Sequence, residues 1–371
     1  MKSARRQAGI ALITAMLIAA LVTAGAVALA ATQQFNTRRI SNILTATRAT
    51  RTIAALEKQA IALLRKDAEL GRYDANSEAW ANAKLALTQD GVTSEGELHD
   101  LSGRFNLTNL VADPEFAGTA PNSTGHEPTA PDNNETGNAV PPGAPPCADP
   151  AGCQALPLAP PTPAAEAPTA APTLPPAEVA TEQLRLLFTI LELDPQPLQA
   201  IQDWIDADTD TRFPNGAEDD YYTAQTPAYR AANRPFASPR ELLLVKGVTL
   251  EMYRKLAPFI VCLPRTTSLN VNTAPKEILM SLGPGLDRAT AESLVTARTT
   301  QPFMDLALFK NHPLIAFRPL LQTNLAVNSD YFELLSHSRD ERLELSTRTL
   351  LARQGRTTTV LGRWRNALEA P

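Results

Sequence analysis

The sequence predicts an α+β protein in which a long N-terminal helix and an antiparallel sheet form one body, with a large all-α domain inserted into it. Three patterns predict this fold. Apolar residues recur at helical spacing from Ile10 to about residue 66, they recur at helical spacing again within 177–324, and they alternate with polar residues within 325–371. The chain has 371 residues, 44% of them hydrophobic, which is enough for two packed domains.

The N-terminal segment has the composition of a membrane-spanning helix. Residues 10–31 contain no charged side chain, and as an α-helix they would extend about 33 Å, the thickness of a bilayer core. Lys2, Arg5 and Arg6 precede them. Because basic residues beside a span stay in the cytoplasm, we expect a single-pass protein with everything from residue 32 onward exported.

A cleaved secretory signal peptide is the alternative for this segment, since Ala28-Leu29-Ala30 offers a small-x-small cleavage site. The apolar run is longer than the roughly 7 to 15 residues of an ordinary signal core. The helical pattern also continues through residues 32–66 without relaxing into a loop. Both observations favour a retained anchor whose helix extends beyond the membrane.

The sheet is predicted to draw its strands from two distant parts of the chain. Residues 97–111 alternate apolar and polar positions around a turn at Gly103. The C-terminal strands need a partner, because a free ribbon is marginally stable, and the strand near Gly103 is available. We therefore predict one body built from residues 67–113 and 325–371. The C-terminal strand segments are YFELLSHS, ERLELSTRTLLAR and TTTVLGRWR.

Between these parts lies a proline-rich insertion, residues 114–176, with 17 prolines in 63 positions. This composition predicts an extended, flexible segment. Cys147 and Cys153 within it suggest a small disulfide loop if the compartment is oxidising. Zinc is the alternative, although two thiolates without neighbouring histidines are an incomplete ligand set. Cys262 follows an apolar run and is predicted to be a buried small hydrophobe.

The helical domain, residues 177–324, contains a dense acidic segment at residues 203–222, with seven carboxylates in the eighteen positions from Asp203 to Asp220. Carboxylates at this density repel one another unless cations or basic groups neutralise them. Asp206, Asp208 and Asp210 have the alternate spacing of a calcium loop, in which oxygen ligands converge on a hard ion. The sequence therefore predicts a calcium site here, with a solvated acidic loop as the alternative.

The acidic segment is not an EF-hand. Counted from Asp206, Thr211 stands where the turn glycine belongs and Ala217 where the bidentate glutamate belongs. Glu218 follows one position later and could close a loop of a different shape.

Two segments of the same domain, residues 242–256 and 278–298, resemble helix-hairpin-helix units, which can bind DNA phosphates through backbone amides. Packing of the helical domain explains them equally well. The chain carries a net charge of −5 and no cluster of basic residues nearby, so we expect no nucleic acid partner.

Catalytic patterns are weak throughout the sequence. Its 4 histidines lie in unrelated segments, and no G-x-S-x-G, H-E-x-x-H or phosphate-binding loop occurs. The acidic segment could supply a glycosidase-like carboxylate pair, but nothing specifies which would be acid and which nucleophile. We therefore predict that the protein is not an enzyme.

The start of the chain resembles the pilins and pseudopilins, because a short basic leader, residues 1–9, ends in Gly9 and an apolar helix follows at once. The resemblance implies cleavage by a prepilin peptidase after Gly9 and a mature chain that begins at Ile10 with a methylated amine. Most members carry a glutamate at the fifth mature position, where this chain has Thr14. The K-type minor pseudopilins of type II secretion lack this acid. A carboxylate in the bilayer is costly unless paired, and a subunit at a filament tip has no subunit above it to pair with.

Further motifs resemble the K-type minor pseudopilins. They are NLTNL, DWIDAD, GAEDDYY, YRAANRPFASPRELLLVKGV and LNVNTAP. The resemblance implies a pilin-like body, a calcium-binding helical domain and a role in initiating and capping the tip of the pseudopilus, in support of the export of folded proteins across the outer membrane. It carries structural calcium ligation onto Asp206, Asp208, Glu218, Asp219, Asp203 and Asp210.

The same resemblance implies an inner-membrane protein with most of its chain in the periplasm. The implied partners are the type I and type J minor pseudopilins. A DNA-handling helix-hairpin-helix protein of a competence or pilus system is the alternative, and an envelope hydrolase is more distant.

Overall fold

The computed structural model describes residues 4–111, 176–340 and 344–366. The candidate disulfide pair Cys147 and Cys153, and all of the proline-rich insertion except residue 176, lie outside these residues.

A single helix, α1 (Ala4–Leu70), opens the chain. It is long and apolar enough to cross a membrane. Its described side chains from Leu12 to Leu44 are almost all exposed, whereas from Thr45 onward one face is buried. The helix ends four residues beyond the expected boundary at 66, where the Gly71 N–H donates to the Asp67 carbonyl (2.8 Å). The buried positions recur every three or four residues and include Ala49, Ile53, Leu56, Ala60 and Leu64.

The sheet has five strands in the order β1-β2-β3-β4-β5, and every neighbouring pair is antiparallel. The pairing of β2 with β3 joins the two distant parts of the chain, from Thr93 opposite Arg339 to Asp100 opposite Phe332. The predicted body from both ends of the chain is therefore confirmed. The strands are β1 (Leu85–Gln89), β2 (Val92–Asp100), β3 (Tyr331–Arg339), β4 (Glu344–Gln354) and β5 (Thr357–Asn366).

One face of this sheet packs on α1 because apolar side chains alternate inward along the strands. Trp80, in the loop after the helix, meets Phe332 edge to face with 5.2 Å between the ring centres. Glu57 is a charged residue on the buried face of α1, and Arg363 of β5 donates to it through Nε (2.7 Å) and Nη2 (2.8 Å). The apolar members of this core are Ala60, Leu64, Trp80, Leu98, Phe332, Leu334 and Leu351.

The expectation of strand structure over residues 97–111 is only partly correct. Strand β2 starts earlier and ends at Asp100, and Leu107–Leu110 form a 3-10 helix. The Asn106 side chain accepts from the Thr108 N–H (3.1 Å) and caps that helix. This local hydrogen bond ends the extended backbone, which the apolar alternation alone does not reveal.

The inserted helical domain shares one hydrophobic core, which contains Leu184, Leu187, Ile201, Tyr222, Ile278 and Leu294. Each predicted helical segment contains a helix, although the segment after Ser238 is a 3-10 helix, Pro239–Leu244, and the segment that begins at Leu250 ends in the strand Ile260–Val261. Ser238 caps the 3-10 helix by accepting from the Arg240 N–H (3.3 Å). The helices are α2 (Pro176–Ile190), α3 (Pro197–Ile205), α4 (Asp219–Thr223), α5 (Leu250–Leu256), α6 (Lys276–Met280), α7 (Arg288–Thr300) and α8 (Leu306–Lys310).

The insert joins the body beyond the C-terminal end of α1. Two short parallel strand pairs link them, Phe105–Asn106 with Ile260–Val261 and Leu269–Asn270 with Leu325–Ala326. Asn270 is fully buried, and its Nδ2 donates to the Asp74 carbonyl (3.0 Å) and to Ser329 Oγ (2.7 Å). The insert therefore covers the end of the body opposite the apolar half of α1.

Candidate functional site

The acidic segment folds into a loop held by one buried carboxylate. Asp203, in the last turn of α3, accepts from Arg212 Nη1 at Oδ1 (2.8 Å) and from the backbone N–H groups of Arg212 (3.1 Å) and Ala217 (2.8 Å) at Oδ2. A Cβ at Gly216 would overlap the Asp203 carboxylate and the Arg212 backbone. Asp203 therefore shapes the loop and has both oxygens engaged.

Three other carboxylates converge within this loop. Asp206, Asp208 and Glu218 each offer one oxygen, and these oxygens lie within 4.8 Å of one another. Glu218 is only 4% exposed, yet neither of its carboxylate oxygens has a hydrogen-bond partner among the residues described. Asp206 Oδ1 is likewise buried without a partner there, while Oδ2 accepts from Arg212. Unsatisfied buried carboxylate oxygens are rare and costly.

The pKa values of Glu218 and Asp206 reflect the lack of neutralising partners for their buried carboxylates. Burial is the main cause that raises the pKa of Glu218 to about 7, and the charges of Asp206 and Asp203 add to it. Burial also raises the pKa of Asp206, although Arg212 acts in the opposite direction. Carboxylates in this state bind protons or cations, and oxygen ligands at such spacing suit a hard ion such as calcium.

The remaining predicted ligands lie apart from this group. Asp219 Oδ1 accepts from the Ala231 N–H (3.0 Å), and its Oδ2 is 3.7 Å from Arg230 Nε. Asp210 is exposed, and its N–H donates to Asp208 Oδ1 (2.9 Å). The structure thus brings together three of the six predicted residues, uses Asp203 as a scaffold, and leaves Asp219 and Asp210 outside the converging set.

Two basic side chains hold the loop, and sequence reasoning missed one of them, Lys246. Arg212 bridges Asp203 and Asp206. Lys246, in the following hairpin, donates through Nζ to the Gly216 carbonyl (2.9 Å) and lies 5.0 Å from the centre of the Tyr221 ring. Lys246 is 30 residues from Gly216, so no local pattern could have identified it.

The glycine turns of the two helix-hairpin-helix-like segments pack against other segments of the chain. Gly247 adopts φ +80°, and a Cβ there would contact Pro197. At the second unit, a Cβ on Gly283 would overlap the Pro319 carbonyl, and Arg318 Nη1 donates to the Gly285 carbonyl. The glycine turn that would face a DNA phosphate is therefore covered by residues 318–320.

The two processing residues, Gly9 and Ile10, lie within α1 together with Thr14. Cys262 is a free thiol, and burial raises its pKa.

Two family models match the chain, and both are described as type II secretion system (T2SS), protein K. The first matches residues 158–265 and the second matches residues 269–328. Together they span the helical insert, including the acidic loop and both hairpins.

Relatives extend the similarity beyond the insert. The type II secretion system protein K of Pseudomonas aeruginosa is 29% identical over 358 residues, which cover 93% of this chain and 89% of that protein. The protein of the same name in Klebsiella pneumoniae is 32% identical over 205 residues, covering 51% of this chain and 60% of the relative.

The fold matches a solved structure described as the GspK-GspI-GspJ complex from the enterotoxigenic Escherichia coli type 2 secretion system. The TM-score is 0.65 at 22% identity, and the match covers 88% of this chain and 99% of the other. The α+β body with its helical insert is thus a known architecture. The family models, the similarity along almost the whole chain and the shared fold show that this chain belongs to the type II secretion system protein K family and is a minor pseudopilin.

Proposed function

We propose that the protein initiates and caps the tip of the pseudopilus, in complex with the type I and type J minor pseudopilins, and so supports export of folded proteins across the outer membrane. The observation that carries the proposal is the position of the helical insert, which covers the end of the body opposite the apolar half of α1. A further subunit body could not stack on that end. The solved structure with the matching fold is named as a K, I and J complex, which supports the choice of partners.

The exposed half of α1 would supply the contact with partner helices and with the inner membrane. Its apolar side chains from Leu12 to Leu44 have no cover within the described chain. The basic leader favours an N-terminus in the cytoplasm and a body in the periplasm. Prepilin peptidase would cut after Gly9 and leave Ile10 as a methylated N-terminus.

Mass spectrometry of the protein extracted from membranes tests this processing. We expect a mature chain that starts at Ile10 and carries one added methyl group. A chain that starts at Ala31 would contradict both the anchor and the pseudopilin mechanism.

Thr14→Glu tests the tip position. A carboxylate would enter the bilayer without a subunit above to pair with it, at a cost of about 2.5 kcal/mol or more. We expect less type I, J and K complex recovered from membranes and less secretion of a reporter. Thr14→Gln, a side chain of the same size as glutamate without a charge, is the matched control. Wild-type recovery and secretion with Thr14→Glu would refute the capping argument.

We further propose that calcium is a structural component of the acidic loop. Asp206, Asp208 and Glu218 would hold the ion, and the partnerless oxygens of Glu218 and Asp206 support this assignment. The ion would supply positive charge where these carboxylates otherwise repel, and so tie the loop to α3 and α4.

Thermal unfolding of the full-length protein in detergent tests the calcium proposal. A site present only in the folded state stabilises by about 2.7 kcal/mol at a hundredfold excess of ion over Kd. We expect calcium to raise the Tm, a chelator to lower it and magnesium to substitute poorly.

The double variant Asp206→Asn, Asp208→Asn should show a smaller calcium shift than the wild type, because the contribution of this loop is removed. The double variant Glu192→Gln, Glu251→Gln removes two exposed carboxylates from the same domain and should keep the wild-type shift. An equal shift in both double variants would place the ligands elsewhere, and no shift in the wild type would leave only a solvated acidic loop.

A further inference from the structure

A second group of carboxylates lies where α1 ends, far along the chain from the acidic loop. Asp67 is in the last turn of the helix, and Asp74 and Glu78 are in the loop that follows. Each offers one oxygen, and the three oxygens lie within 4.8 Å of one another.

Each of these carboxylates has one oxygen committed to the protein. Asp67 Oδ2 accepts from Arg353 Nη1 (3.1 Å). Asp74 Oδ2 accepts from Arg353 and from the Ser329 N–H (2.7 Å). Glu78 Oε2 accepts from the Ala75 N–H (2.7 Å) and from the Trp80 indole (3.2 Å). These contacts orient the side chains, and none of them uses the second oxygen of its carboxylate.

The second oxygen of Asp74 gives the strongest indication of a bound ligand. The residue is 1% exposed, and Oδ1 is buried with no hydrogen-bond partner in the described part of the chain. A buried carboxylate oxygen without a donor is a costly arrangement unless a cation or a proton meets it.

Charge and space at this junction also favour a cation. Among the described residues, Arg353 is the one guanidinium bound to the group, so three carboxylates share a single positive charge. Burial, with the charges of Glu78 and Asp74, raises the pKa of Asp67 to about 7, which reports the same shortage of positive charge. A Cβ at Gly71 would be 3.3 Å from the Tyr73 carbonyl oxygen, 3.4 Å from that of Asp67 and 3.5 Å from Glu78 Oε1. The glycine thus leaves a gap lined by oxygens.

We propose that Asp67, Asp74 and Glu78 bind a divalent cation of the hard, oxygen-preferring class, with calcium as the fitting ion. Calcium accepts six to eight oxygen ligands in flexible geometry, so carboxylates, carbonyls and water can complete the shell at this loop. The site is independent of the acidic loop. It would fasten the end of α1 to Ser329, which leads into β3, and to Arg353 of β4.

Calcium stoichiometry measures the site directly. Equilibrium dialysis would use the full-length protein in detergent, in the Asp206→Asn, Asp208→Asn background, so that failure of the acidic-loop proposal is seen separately. We expect this background to retain about one bound calcium per chain. Adding Asp67→Asn and Glu78→Gln should remove it. Adding Glu69→Gln and Glu97→Gln instead, two exposed carboxylates nearby, should leave it in place.

Terbium luminescence tests the location without changing a ligand. The Trp80 indole donates to Glu78, so it should sensitise a terbium ion bound there. In the same background, Trp80→Phe should abolish emission excited through tryptophan, whereas Trp204→Phe should not. The proposal is overturned if the folded background binds no calcium, if the retained calcium survives Asp67→Asn with Glu78→Gln, or if emission is indifferent to Trp80→Phe.

Discussion

We predict that Asn270, within the LNVNTAP motif, makes the side-chain hydrogen bonds that contribute most to holding the helical insert to the body. Its Nδ2 donates to the Asp74 carbonyl (3.0 Å) and to Ser329 Oγ (2.7 Å), and its Oδ1 accepts from the Asn272 N–H (2.9 Å). Asn270→Ala removes all of these contacts in a fully buried place.

The expected loss of stability in Asn270→Ala follows from the polar groups that lose their hydrogen-bond partner. The Ser329 hydroxyl can turn to Asp100, with which it already bonds (2.7 Å). The Asp74 carbonyl and the Asn272 N–H stay buried without a partner, and each such group costs about 1–3 kcal/mol. We therefore expect a loss of about 2–6 kcal/mol in the free energy of unfolding, or roughly 2–4 °C in Tm for each kcal/mol in a large domain.

The assay is thermal and urea unfolding of the full-length protein in detergent. Asn311→Ala is the matched control, because Asn311 is exposed at the end of α8 and its truncation should cost less than about 0.5 kcal/mol. If Asn270→Ala is no less stable than Asn311→Ala, the other contacts hold the insert to the body and the reasoning fails.

Two further predictions concern single residues. Burial raises the pKa of Asp100 to about 6 from an ordinary value of 3.8, so the folded state favours its protonated form. The free energy of unfolding should therefore fall as the pH rises between these two values. Asp100→Asn should flatten this decline in urea titrations at several pH values, and an unchanged dependence on pH would contradict the prediction. Gly216→Ala should destabilise the insert and reduce the calcium shift in Tm, since the added Cβ overlaps the Asp203 carboxylate and the Arg212 backbone. A calcium shift of wild-type size would show that the loop tolerates the change.

The parts of the fold with strong periodicity could be predicted from the sequence. The long helix, the three C-terminal strands and the helical insert all follow from apolar spacing. Strand β1 and the true limits of β2 did not, because β1 is short and half exposed and carries no clear alternation. The 3-10 helix at Leu107–Leu110 depends on a side-chain cap, which apolar patterns do not register.

Of the two candidate calcium sites, one could be predicted from the sequence and the other could not. The calcium prediction at Asp206 and Asp208 rested on local spacing, and the structure does bring these residues to Glu218. The group of Asp67, Asp74 and Glu78 was not predicted, because the contact that orients it joins Asp74 to Arg353, 279 residues along the chain. Such a contact exists only once both ends of the chain have met.

That meeting of distant segments sets an order of events during folding. The helical insert is nearly continuous in sequence, and its short strand pairs use residues 105–106, which precede it, and 325–326, which follow it at once. The sheet, in contrast, cannot be completed until β3, β4 and β5 have been synthesised. Domains generally fold as units during synthesis, and long-range strand pairing is slow. We therefore expect the insert to fold while β1 is still the sole strand partner of β2 in the described sheet. A chain without β3, β4 and β5 would therefore leave β2 as an open sheet edge, and an open edge is a template for pairing with other chains.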